Sequence, residues 1–161
     1  MFRAAGSMAF QIHVVSNVPL NSVKDPQEVA LLFLGQIGYL PKRTGAGDEE
    51  VKRSIPYRLL VDHFLRRSER GWTAEELAAR LETGKATVYR HINKLKSLDL
   101  LEDVEVPTLG RPRKGYRIRY GNLAKAWNFV EAHVDVAMEN YRRTVEHLQG
   151  LIEGGSLYGE G

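Results

Sequence analysis

Between Thr73 and Leu98 two helical patterns stand only three residues apart, and that spacing constrains the fold more than any other feature of the chain. "TAEELAARL" offers Thr73 as an N-cap with Glu76 three residues on, a capping box, and then apolar Leu77 and Leu81 at helical spacing. "ETG" follows as a tight turn with Gly84 as its permissive residue. The next helix, about Lys85 to Leu98, sets Val88, Ile92 and Leu95 at i, i+4 and i+7 as its buried face. Turning by about 100° per residue, its opposite face carries Arg90, Asn93, Lys94 and Ser97, with Ala86 and Thr87 near the N-terminal edge.

The flanks extend the pattern. Upstream, Ser54 is positioned to cap a helix ending near Arg67, with Ile55, Leu59, Leu60 and Phe64 as its apolar stripe. Downstream, "LLEDVEV" alternates Val104 and Val106 against Asp103 and Glu105, and "GYRIRY" alternates Tyr116, Ile118 and Tyr120 against Arg117 and Arg119. Two period-2 segments joined by "PTLGRPRK" predict an antiparallel hairpin with a long tip, on which Arg111, Arg113 and Lys114 lie.

Charge concentrates in this region. The stretch Gly110 to Tyr120 holds five Arg or Lys side chains and no acid. From Lys85 to Tyr120 there are nine basic residues against Asp99, Glu102, Asp103 and Glu105, a balance of +5 in a chain whose total is +3. Such a footprint suits a nucleic-acid partner.

Helix, capped helix, tight turn, helix and hairpin, over about Ile55 to Tyr120, resemble the prokaryotic winged helix-turn-helix transcriptional regulators of the ArsR, TrmB and PadR type, many of them archaeal. The residues that carry the resemblance are "TAEELAARLETGKATVYRHINKLKSLDLLE" and "GRPRKGYRI". One position departs from the pattern: Asp99 stands where such domains usually place glycine after the recognition helix. The resemblance implies a mainly α fold with a small β-hairpin wing that lies along the DNA backbone or enters a minor groove.

The physics of the helix leads to the same partner. A major groove about 12 Å wide admits one helix and exposes base edges to its N-terminal residues. Arg90 is suited to bidentate pairing with guanine and Asn93 with adenine, while Thr87, Tyr89, Lys94 and Ser97 suit phosphates. The full candidate DNA-contact set is Lys85, Ala86, Thr87, Tyr89, Arg90, Asn93, Lys94, Ser97, Arg111, Arg113, Lys114 and Arg117. "GRPRK" also resembles the core of an AT-hook, a slim basic tip that enters the narrow groove of A·T-rich DNA.

From Leu123 onward a heptad-like spacing through Leu123, Trp127, Val130, Val134, Ala137 and Tyr141 predicts one helix of roughly 25–28 residues, about 40 Å long. A single recognition helix covers one half-site, so this seam is expected to pair two copies of the chain as a homodimer. At the other end, Phe10, Ile12 and Val14 suggest a strand, and Asp25 with Pro26 opens a short helix running to about Gly38. "PKRTGAGDEE", Pro41 to Glu50, has the turn formers and charges of a linker.

Four segments result: an N-terminal arm and linker over 1–50, a winged helix-turn-helix over 51–121, a C-terminal dimerisation helix over 122–152 and a flexible tail over 153–161. The absence of cysteine removes thiolate metal sites, disulfides and thiol nucleophiles, and the five histidines show no ligand spacing, so no metal or cofactor is expected. No phosphate loop, nucleophile elbow or carboxylate motif supports an enzyme. The apolar run Val29–Leu40, broken by Gln36 and two glycines, is too short to span a membrane, and the N-terminus lacks the apolar core of a secretory signal. The expected function is a sequence-specific DNA-binding regulator, cytoplasmic and nucleoid-associated. The alternatives are a winged-helix protein-interaction module of the transcription machinery and a sequence-independent chromatin-type binder.

Overall fold

The computed structural model of the protein describes residues 24–40 and 47–155. The strand expected at Phe10–Val14, most of the linker and the end of the tail lie outside the described residues. Contacts divide the chain into two compact units, Met1–Ala126 and Trp127–Gly161.

In the first unit α1, Pro26–Gln36, opens as expected: the Asp25 carboxylate accepts the Gln27 N–H and Pro26 occupies the first turn. Helix α2, Asp48–Arg53, begins inside the stretch read as linker, its three acids in the first turn and two bases in the last suiting the helix dipole. Ser54 does not cap the next helix with its side chain as expected. Its hydroxyl turns back to donate to the Val51 carbonyl at 2.6 Å, while its own carbonyl accepts the Arg58 N–H.

Helix α3, Ile55–Tyr57, passes directly into a π-helical segment, Arg58–Leu65. The wider turn seats His63 indoors. Its Nδ1–H donates to the Arg58 carbonyl at 2.9 Å, and its ring stands edge-on to Trp72 with centroids 5.1 Å apart. Helix α4, Ala74–Leu81, starts as the sequence dictates, with the Thr73 hydroxyl accepting the Glu76 N–H at 3.2 Å. The Glu76 carboxylate pairs with Arg70 and reaches Arg80 at 3.7 Å, so this acid ties α4 to the preceding segment.

The turn into α5, Lys85–Ser97, corrects one expectation. The left-handed residue is Glu82, φ 52°, whereas Gly84 is extended and serves as the N-cap. The reason is the Schellman ending of α4, in which Thr83 N–H bonds to the Ala78 carbonyl and forces the residue before it to positive φ. Helix α5 ends the same way: Leu100 N–H bonds to the Leu95 carbonyl, and Asp99 takes φ 59°. Arg119 holds Asp99 there, donating from Nε to its carbonyl at 2.9 Å.

Strands β1, Leu101–Val106, and β2, Arg113–Ile118, pair antiparallel in the register Leu101↔Ile118 to Val106↔Arg113. Strand β2 therefore begins two residues earlier than the pattern suggested, taking Arg113 and Lys114 out of the tip. It also ends at Ile118, because a 3-10 turn, Arg119–Gly121, follows and leaves Tyr120 exposed at φ 59°. Trp72 adds a third rung: its N–H and carbonyl each bond to Tyr116 at 2.8 Å. The approach is so close that a Cβ at Gly115 would run into the Val106 side chain and lie 2.9 Å from the Trp72 carbonyl oxygen.

Leu59, Leu60, Phe64, Leu77, Val88, Ile92, Leu95 and Ile118 are fully buried, so π-segment, α4, α5 and hairpin share one core. Helix α6, Leu123–Glu153, is capped by Asn122, whose side chain accepts the Lys125 N–H at 3.0 Å. At 31 residues it outruns the expected length. All but its first turn makes up the described part of the second unit.

Two glycine exchanges should move stability in opposite directions. Glu82→Gly removes a left-handed penalty of about 1–2 kcal/mol, offset by chain entropy, and should stabilise by roughly 0.5–1 kcal/mol. Gly115→Ala overpacks the three-strand junction and should destabilise by roughly 1–3 kcal/mol. Urea denaturation of both variants checks the signs.

Candidate nucleic-acid interface

Helix α5 is held by one face and offers the other. Val88, Ile92 and Leu95 are inaccessible to solvent, while Ala86, Tyr89, Arg90, Asn93, Lys94 and Ser97 are exposed and Thr87 is half-buried. Gly84 supplies no side-chain cap, which leaves the first-turn amides of α5 without a side-chain acceptor from the N-cap.

Not every side chain on this face is uncommitted. Ser97 donates its hydroxyl to the Lys94 carbonyl at 2.6 Å within the helix. Lys94 reaches the other way, its Nζ donating to the Tyr39 carbonyl at 3.2 Å. Tyr39 is itself buried, with its hydroxyl donating to the Pro56 carbonyl, and its ring meets His91 edge-on. Lys85 faces Glu75 of α4 at 3.7 Å.

The wing adjoins this surface. Alternation along β2 puts Lys114 on the same face as buried Tyr116 and Ile118, and puts Arg113 and Arg117 on the other. Asp103 of β1 binds both Lys96 of α5, at 2.8 Å, and Lys114, at 3.2 Å. The hydrogen bond from Lys96, seconded by that from Lys114, holds the Asp103 carboxyl below its usual range, so it is ionised at neutral pH. Tyr89 is near enough to act electrostatically on Lys114, which brings the middle of α5 and the start of β2 onto one surface. Arg117 is placed apart from that cluster: its Nε donates to Glu102 at 2.7 Å, and the same carboxylate accepts the Tyr120 N–H.

Among the described cations of α5 and the hairpin, Arg90 on the helix, Arg111 at the tip and Arg113 at the start of β2 pair with no carboxylate, and all three are exposed; Lys94 also lacks a carboxylate but gives its ammonium to the Tyr39 carbonyl. Net charge per window could show the excess but not which cations were already neutralised. Lys96 and Asp103 as parts of this surface, and the buried Trp72 as its support, escape a reading of the sequence for the same reason: each acts through a partner distant in sequence.

Along α6, Leu123, Trp127, Val134 and Ala137 are half-buried, Val130 is buried and Tyr141 is exposed. The stripe continues beyond the expected seam through Val145, Leu148 and Ile152, which are also exposed. Among the described residues there is no cluster of three or more His, Asp or Glu side chains that could hold a metal ion, and no helix long and apolar enough to cross a membrane.

A capped helix, a tight turn and a second helix with an exposed polar face, followed by an antiparallel hairpin bridged to Trp72, define a winged helix-turn-helix, the architecture of DNA-binding transcriptional regulators. Residues 56–104 match the family model described as "Helix-turn-helix domain", a span from α3 into β1. Among solved structures the chain is similar to a "possible transcriptional regulator" from Methanosarcina mazei Go1. The two are 16% identical, with 88% of this chain and 98% of that chain covered and a TM-score of 0.44, a likeness too loose to carry an argument. No curated protein matches the chain.

Asp103 generates a prediction of its own. Asp103→Asn releases the ammonium groups of Lys96 and Lys114, and each phosphate they then neutralise adds about −0.9 to the slope of log affinity against log salt. The slope on duplex DNA should steepen by roughly one to two units. An unchanged slope would mean that neither lysine reaches the backbone.

Proposed function

We propose that this protein is a sequence-specific transcriptional regulator that binds double-stranded DNA as a homodimer. Helix α5 enters the major groove and the basic wing follows the backbone or the adjacent minor groove. One observation carries this reading: among the described cations of α5 and the hairpin, those without a carboxylate are Arg90 on the exposed face of α5, Arg111 and Arg113 on the wing, and Lys94, whose ammonium goes to the Tyr39 carbonyl. These free guanidinium groups lie on the helix and the hairpin that a winged helix-turn-helix turns toward a duplex, where they can meet base edges and phosphates.

Within the groove, Arg90 and Asn93 read base edges, while Thr87, Tyr89 and the first-turn amides of α5 meet phosphates. Lys94 is the contact most dependent on rearrangement, since its ammonium must leave the Tyr39 carbonyl to reach DNA. Dimerisation supplies the second half-site. It is supported by the α6 stripe, where Tyr141 and Val145 remain 65% and 64% exposed, more apolar surface than a solvated helix needs.

Selection of bound sequences from a random duplex pool tests the reading directly. Enrichment of an inverted repeat supports it; enrichment of nothing, with tight binding to all duplexes, would leave a sequence-independent binder. No binding at low salt would leave a protein-interaction module.

On the selected site, Arg90→Ala should lose about 1–3 kcal/mol and relax selectivity at one position per half-site, measured by competition against single-base variants. An equal loss on random DNA would make Arg90 a phosphate contact.

Val145→Glu with Leu148→Glu changes two exposed positions, so the protomer should fold normally. In a paired seam the buried charges would cost several kcal/mol, and the double variant should sediment as a monomer where the unaltered chain is a dimer.

A further inference from the structure

Leu109, at the apex of the wing, is wholly exposed, at 112% of its reference accessibility. The turn beneath it is nonetheless built. Thr108 Oγ1 donates to the Arg111 carbonyl at 2.7 Å and accepts the Gly110 N–H at 3.3 Å, and Pro107 and Pro112 close the loop at either end. Gly110 beside it answers to no demand of the fold. Its φ is not left-handed, and a Cβ there would meet nothing within 4 Å.

A leucine with no packing partner and a glycine with no conformational or steric need make sense against a surface that approaches closely. The cations behind them, Arg111 and Arg113, pair with no carboxylate among the described residues, so that surface is anionic. A protein partner would call for a broader apolar patch than this, since the neighbours of Leu109 are Thr108 and Gly110. In the minor groove of DNA, by contrast, phosphates line the entrance and the stacked faces of the bases are the apolar surface a single side chain can reach.

Building on the DNA-binding reading above, we propose that Leu109 is a wedge that enters the minor groove and inserts between adjacent base pairs, unstacking them and kinking the duplex toward the major groove. Gly110 keeps the tip slim enough to enter. Arg111 and Arg113 hold the phosphates on either side of the opened step. Part of the sequence preference then comes from the ease of unstacking, so pyrimidine–purine steps such as TA or CA are favoured beneath the tip.

The test uses the full chain on its selected duplex, with 2-aminopurine placed at successive flanking steps and donor and acceptor dyes at the duplex ends. The unaltered protein should raise 2-aminopurine emission at one step per half-site and bend the duplex by about 20° or more. Leu109→Ala touches no other residue and should fold and occupy the same site, yet lose most of the bend and the emission rise; Leu109→Phe should keep both. A mismatch at the opened step removes part of the unstacking cost and should tighten binding of the unaltered protein about tenfold, while leaving Leu109→Ala little changed. A straight, fully stacked duplex under the unaltered protein, or full bending by Leu109→Ala, overturns the wedge and leaves DNA binding intact. A chain that binds no duplex at low salt overturns the wedge together with the function beneath it.

Discussion

The two main-chain hydrogen bonds between Trp72 and Tyr116 tie the entry into α4 to the hairpin across the core that they share. On one side of that bridge the chain enters α4 through Thr73; on the other it completes the hairpin. Because α5 is packed on both α4 and β1, that packing and the bridge together fix the helix and the hairpin to each other. The absence of a side chain at Gly115 makes the junction possible, since any Cβ there would strike the Val106 side chain. The arrangement gives α5 and the hairpin a rigid mutual geometry at the cost of one permitted residue type.

Around this frame, charge is distributed with economy. Asp103 clamps Lys96 to Lys114, Glu102 takes Arg117, and Asp99 takes Arg119. The first three pairs join the hairpin to α5 or one strand to the other, and the last joins the turn after α5 to the turn after β2, so these cations serve the fold. Exposed surface pairs contribute little to stability individually. Their larger effect is subtractive: they lower the free positive charge that would hold the protein on any duplex. On the reading proposed above, this subtraction lowers the indiscriminate background against which a specific site has to compete.

How much of this was legible in the sequence follows from how local each determinant is. Helices α4 and α5 could be read because their signals lie within a few residues: the Thr73 hydroxyl on the Glu76 N–H, and the Val88, Ile92 and Leu95 stripe. The Glu82 turn was misassigned because glycine frequency pointed to Gly84, whereas a hydrogen bond from Thr83 decides the matter. Arg113 and Lys114 looked like loop residues because strand pairing, not composition, draws them into β2 opposite Val106 and Glu105. The bridge at Trp72 has no period to detect, being a single rung. For the candidate site, the exposed face of α5 was visible from helical geometry alone, but the neutralisation of its neighbours depended on tertiary register.

The π-helical segment Arg58–Leu65 changes which side chains stand above one another. Residues five apart, rather than four, are brought together along its axis. Arg58 and His63 have that spacing, so the ring that meets Trp72 edge-on is anchored by a carbonyl one wide turn below it. A plain α-helix over the same residues would rotate His63 away from that carbonyl.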